Sequence, residues 1–252
     1  MKLVTILSAS TLALVGLIAC GDTKTVVQQA PPGSNTSSSG STDTTSGGED
    51  NTGGQEGNGG LEGDGVGSAA SAPDTNPQGK KYPTTGLGTK EGSIIRNYKF
   101  LGYPDADTSE LKPISLAQFY DPSGQNYQLI HIQAAGVWCS ACKGETTALV
   151  PLADQLKAKK VVWIVSLAEG PQPGSPSKQA DLNGWIAEFS SPYTHVLDPS
   201  NKNLGPFYDR SALPWNANID AKTMKILTAG TGGAQSADAI LEEIDDALAM
   251  IK

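Results

Sequence analysis

The chain has 252 residues, 38% of them apolar and 17% charged, and its 18 Lys and Arg against 26 Asp and Glu give a formal charge of −8. That acidity is uneven: residues 21–79 hold eight acids against Lys24, whereas residues 80–252 carry a net −2. A near-neutral C-terminal part without a basic cluster excludes nucleic acid as an expected partner, and the roughly 160 residues from Glu91 onward suit one domain with its own core.

Residues 1–20 combine Lys2, an apolar run from Leu3 to Ile18, and the sequence Leu17-Ile18-Ala19-Cys20-Gly21. The run is short for a membrane span of about 20 residues, and a small residue precedes the cysteine. The segment resembles a bacterial lipoprotein signal, in which Cys20 becomes the lipidated first residue; a cleaved secretory signal or an N-terminal membrane helix are the alternatives. The expected location is therefore the bacterial cell envelope, with a lipid anchor on Cys20 and the domain facing the periplasm. Gly21 supplies no aspartate-type retention signal, which favours the outer membrane over the inner. Residues 21–90, rich in Gly, Ser, Thr, Asn, Pro and Asp and without apolar periodicity, read as a disordered acidic tether. About 60 such residues span on the order of 40 Å.

The domain is expected over residues 91–252. Leu111–Tyr120 reads as a short strand and turn, and residues 127–135 as a buried strand. Ala148, Leu149, Leu152, Ala153 and Leu156 then repeat with helical period. Residues 161–167 form an apolar run suited to a strand buried on both faces, so strand, helix and strand imply a parallel crossover. The Pro- and Gly-rich residues 170–177 read as a loop, residues 179–189 as a helix with Leu182, Trp185, Ile186 and Phe189 on one face, and residues 193–197 as a short strand. A helical turn is expected over residues 201–208, a hairpin from residues 215–220 and 224–228, and a closing amphipathic helix from Ser236 with Ile240, Leu241, Ile244, Leu248 and Ile251 as its buried stripe.

Between the first long strand and its helix stands Trp138-Cys139-Ser140-Ala141-Cys142-Lys143. Two thiols at i, i+3 share one face of a first helical turn. The positive end of the helix dipole and the unpaired N–H groups there stabilise a thiolate. Cys139 is thus the expected nucleophile, and Cys142 the thiol that resolves a mixed disulfide on Cys139. An exported chain works where disulfides persist. A zinc site wants four ligands, and the only histidines, His131 and His195, lie at no zinc spacing and read as structural. No metal and no cofactor are expected, although an exported thiol pair also suits copper.

The combination of Trp-Cys-x-x-Cys-Lys, the element order and a proline opening the late hairpin resembles the thioredoxin superfamily, and within it the exported TlpA-like thiol-disulfide oxidoreductases, over residues 93–252. The resemblance implies an α/β fold, a thioredoxin-like three-layer sandwich with a mixed central sheet flanked by helices. It implies a membrane-anchored, extracytoplasmic enzyme that exchanges its Cys139–Cys142 dithiol or disulfide with protein thiols and disulfides, acting as a monomer. It also implies that Pro214 is a cis-proline beside the cysteines, that Leu213 and Trp138 contact substrate, and that Glu145, in the pattern Cys-x-x-Cys-x-x-Glu, tunes the thiols. A solvated Glu145 stabilising the helix end is the alternative. Three features depart from the family pattern. Gln133 stands six residues before Cys139, where thioredoxin has a buried aspartate; Ser140-Ala141 lacks the usual proline; and the helix proline comes one turn late, at Pro151. Peroxiredoxins, on the same fold, want Thr or Ser where Gly136 stands and proline where Ile132 stands. A peroxidase, and a copper-binding or adaptor module without turnover, are the two alternative functions.

Overall fold

A computed structural model of the chain describes residues 68–251. The expected signal peptide, the Cys20 anchor and the tether as far as residue 67 lie outside the described residues. Seven strands, β1 (Lys99–Tyr103), β2 (Lys112–Ser115), β3 (Leu129–Gly136), β4 (Val161–Glu169), β5 (Thr194–Leu197), β6 (Trp215–Asp220) and β7 (Lys225–Thr231), form one sheet in the order β2-β1-β5-β4-β3-β6-β7. The β5-β4-β3 centre is parallel, as the strand-helix-strand pattern predicts, and antiparallel pairs extend it on both sides. Among the described residues four α-helices accompany the sheet: α1 (Ser140–Leu149), α2 (Ala153–Ala158), α3 (Gln179–Phe189) and α4 (Ala237–Ala249). Pro151 sits in the short 3-10 turn that separates α1 from α2, because a proline inside a helix removes a donor and crowds the preceding turn.

Alternation along the strands sorts the core into two layers. Leu129, Ala135, Trp163, Val165 and Leu167 point to the face that also buries Cys142, Leu149, Leu156, Leu182, Trp185, Ile240 and Ile244, so all four helices pack there. Ile130, Ile132, Ala134, Ile164 and Val196 point to the other face. The result is the expected three-layer sandwich around a mixed central sheet, with the four helices on one face. Its second outer layer consists of 3-10 turns at Leu116–Phe119 and Gly205–Phe207 together with chain from the N-terminal side of β1.

That last contribution corrects the expected domain boundary. Residues 68–90 fall in the segment read as tether, yet they pack on the sheet. Ala72, Asn76 and Tyr82 are buried, the Tyr82 hydroxyl donates to Ile95 O at 2.7 Å, Ser115 Oγ donates to Pro73 O at 2.6 Å, and Asn76 Nδ2 donates to Tyr120 O at 2.8 Å. One aromatic anchor and three bonds to distant chain suffice to order a segment whose average composition is polar. The domain therefore begins well before residue 91. Farther along, Gly92 N donates to Ile226 O and Ile226 N to Ser93 O, which lays the segment along the outer edge of β7.

Candidate active site

β3 delivers the chain to the cysteines. After Gly136 the backbone turns: Val137 N donates to Glu169 O and Cys139 N to Gly136 O. Cys139 caps α1 in an extended conformation, its Sγ accepting from Cys142 N at 3.1 Å. Cys139 and Cys142 form a disulfide with an S–S distance of 2.09 Å, and both residues are almost fully buried, at 2% and 0% exposure. The Leu213–Pro214 peptide is cis, in agreement with the sequence expectation. Leu213 and Trp138, both half-buried, pack against the cluster that contains the two cysteines. A Cβ on Gly136 would lie 3.0 Å from the Trp138 indole nitrogen and 3.2 Å from Leu213 Cδ1, so a glycine there lets the two flanking side chains close around the end of β3. Trp138 is fixed from the other side by Glu169, whose Oε2 accepts from Trp138 Nε1 at 2.6 Å and from Gly174 N at 2.9 Å. The loop over residues 170–177 is thereby tied to the rim of the site.

Glu145 lies one turn of α1 beyond Cys142 and is fully buried, which excludes the solvated alternative. Gln133 Nε2 donates to Glu145 Oε2, and Asn216 Nδ2 donates to both carboxylate oxygens at 3.1 and 3.2 Å. Burial pushes the Glu145 carboxyl above the usual carboxylate range, while the charge of His131 and the amide bonds from Asn216 and Gln133 pull it back and the Glu243 carboxylate raises it. Gly233 makes room: a Cβ there would fall 2.3–2.6 Å from the carboxylate atoms of Glu145. Gln133 on β3 thus holds a buried carboxylate that α1 contributes.

Around Glu145, the sequence reading took His131 as structural and Gln133 as a departure from the family pattern, and it missed Asn216 and Asn218 altogether. His131 and Gln133 on β3 lie opposite Asn218 and Asn216 on β6, forming two cross-strand polar pairs on the helix-covered face. His131 Nε2 lies 3.0 Å from Asn216 Oδ1 and its Nδ1 lies 2.9 Å from Asn218 Oδ1. Asn218 Nδ2 donates in turn to Thr228 Oγ1 at 3.0 Å and Glu243 Oε1 at 2.8 Å. The signal was present as polar residues at every second position of two otherwise apolar strands. His195, by contrast, is the structural histidine expected, with Nδ1 2.8 Å from Tyr193 O. Among the described residues no three His, Cys, Asp or Glu side chains gather as a metal site, and no helix is long and apolar enough to cross a membrane.

No protein-family model and no curated protein matches the chain. Solved structures do. The thioredoxin domain of a thiol-disulfide oxidoreductase from Bacteroides vulgatus is 16% identical with a TM-score of 0.46, covering 62% of this chain and 99% of that one. The exposed lipoprotein thioredoxin of Streptococcus pneumoniae is 20% identical with a TM-score of 0.45, covering 60% and 99%. The reduced 2-Cys peroxiredoxin of Plasmodium vivax is 16% identical with a TM-score of 0.46, covering 62% and 94%.

Proposed function

We propose that this thioredoxin-fold domain is a thiol-disulfide oxidoreductase acting on protein substrates, with Cys139 as nucleophile and Cys142 as resolving thiol. The observation that carries the reading is the Cys139–Cys142 pair at the start of α1, joined as a disulfide, with the buried Glu145 three residues further along the same helix. In the reduced form the Cys142 N–H that meets Cys139 Sγ is a donor to a thiolate, and the helix N-terminus adds a favourable dipole. Cys139 attacks a substrate disulfide and forms a mixed disulfide while one substrate sulfur leaves as thiolate. Cys142 gives its proton to Glu145 as its sulfur attacks the Cys139 sulfur. The bond between Cys139 and the substrate breaks, the second substrate sulfur departs with the electron pair, and the protein disulfide closes. Run backwards, the same steps oxidise a substrate dithiol. Leu213, preceding Pro214, and Trp138 flank the site as the substrate-contacting rim.

The working setting proposed is the bacterial cell envelope, with the lipid on Cys20 as sole membrane contact, the domain facing the periplasm from the outer membrane, and a monomeric chain without metal or cofactor. The near-neutral domain supports an absence of nucleic-acid binding. The experiment is insulin reduction with dithiothreitol as electron source, beside a trapping assay. Wild type turns over, Cys139→Ser does not, and Cys142→Ser accumulates mixed disulfides through Cys139. Retained turnover in Cys139→Ser overturns the assignment. Rapid hydrogen peroxide consumption without insulin reduction replaces it with the peroxidase, and tight Cu(I) binding without either activity replaces it with the copper module.

A further inference from the structure

The amide orientations around His131 fix its protonation state. Asn216 Nδ2 donates to the Glu145 carboxylate and, at 2.8 Å, to Gly232 O. A flipped Asn216 would turn its oxygen onto a carboxylate and a carbonyl, acceptor against acceptor. Asn218 Nδ2 donates to Thr228 Oγ1 and to the Glu243 carboxylate, and its flip fails for the same reason at Glu243. Both amide oxygens therefore face the imidazole, at 3.0 and 2.9 Å. A neutral imidazole offers one donor and one acceptor, so it would set a ring lone pair against an amide lone pair on one side. Only the ring carrying protons on both nitrogens satisfies both contacts.

The surroundings suit a buried cation. His131 is 0% exposed, and an isolated charge there would be costly. It stacks on Trp163, its register partner on β4, with ring centroids 3.6 Å apart and planes 20° apart, and an aromatic face attracts a cation. The titratable groups that face it are Glu145 from α1, beyond Asn216, and Glu243 from α4, 4.0 Å from Nδ1. From β6 it meets Asn216 and Asn218, and from β4 Trp163, while Thr228 of β7 holds Asn218 from behind. Glu243 reaches a surface cavity that Asp246 and Met250 also line, whereas Glu145 is fully buried.

We propose that His131 is a buried imidazolium and a positioning residue for the dithiol, whose charge, relayed through Asn216, keeps Glu145 ionised and oriented to take the proton of Cys142. The inference rests on the exchange reaction proposed above. It separates two roles that one buried aspartate would combine: Glu145 receives the proton, and His131 sets the pH at which it is ready to do so. Without the cation, burial leaves Glu145 protonated to higher pH, and Cys142 keeps its proton when it should attack.

The chain contains two histidines, which makes the test direct. The full chain carrying nitrogen-15 histidine is examined by NMR at neutral pH in both redox forms, with His195→Asn for assignment. His131 is expected to show two protonated ring nitrogens and His195, whose Nε2 lacks a partner among the described residues, one. An unprotonated nitrogen on His131 overturns the proposal, and this readout needs no activity and no substitution at position 131. The coupling is read in single-turnover reaction with a chromogenic aryl disulfide, in which the first aryl thiolate reports attack by Cys139 and the second reports resolution by Cys142. His131→Gln is expected to move the pH midpoint of the second phase upward and leave the first in place, and Glu145→Gln to slow the second phase and flatten its pH dependence. An unchanged second-phase midpoint in folded His131→Gln overturns the positioning role. Failure of the exchange reading looks different: wild type then gives no second phase at any pH, while the NMR result stands or falls alone.

Discussion

Replacing His195 with asparagine removes one ionisable group from the sheet and leaves a side-chain N–H able to reach Tyr193 O, the partner of His195 Nδ1 at 2.8 Å. In wild type, burial outweighs that carbonyl bond and lowers the imidazole from 6.5 to about 4. Above pH 6.5 the ring is neutral in folded and unfolded chains alike. Between 6.5 and about 4 the unfolded chain binds a proton that the folded one refuses, so stability falls as pH falls. At about 1.4 kcal/mol per pH unit, the gap between the two values amounts to about 3 kcal/mol. Glu145 and Asp198, both raised above the usual carboxylate range by burial, act with opposite sign. The folded chain holds their protons to higher pH, so they favour folding as pH falls, and the wild-type profile is a composite. The difference between wild type and His195→Asn isolates the histidine. Urea unfolding followed by tryptophan fluorescence from pH 7.5 to 4 is expected to show wild type losing about 3 kcal/mol relative to the variant. A difference that stays constant with pH refutes the reasoning.

Two further outcomes test the site and the domain boundary. Gly233→Ala forces a methyl against the Glu145 carboxylate; it should cost about 1–3 kcal/mol in urea unfolding and alter the second phase of the aryl disulfide reaction, and an unaffected second phase would show that Glu145 is not where the proton goes. Tyr82→Phe strips the buried Ile95 carbonyl of its donor and should cost about 1–3 kcal/mol while speeding proteolysis between residues 68 and 90; wild-type resistance in the variant would mean that Tyr82 does not secure that segment.

What the sequence made legible was whatever is decided locally. The apolar stripe of α3 falls at Gln179–Phe189 as its period predicts, Ser236 caps α4 where the stripe begins, and two thiols at i, i+3 announce a redox site before any fold is known. β1 escaped notice because Lys99–Tyr103 becomes a strand only through pairing with β2 and β5, and β5 lies far along the chain. The packed residues 68–90 were hidden by composition, which averages over windows, whereas their order depends on single side chains such as Tyr82. The polar network was hidden for a similar reason. Gln133 and His131 are two residues apart, yet their meaning depends on Asn216 and Asn218 from β6 and on Glu243 from α4, a conjunction that only the register of β3 against β6 brings about.

The chain that runs along β7 has a consequence for how these domains behave when crowded. The outer border of a sheet is a ready template for another chain's backbone, and long bare borders seed fibres. Here one border is occupied: Ile226 exchanges both backbone bonds with residues 92 and 93, and Ala229 N donates to the Glu91 carboxylate at 3.1 Å. The opposite border is β2, four residues long with Pro113 inside it, and a proline has no N–H to offer a neighbour. Domains held side by side at high density therefore meet no open backbone ladder along these stretches.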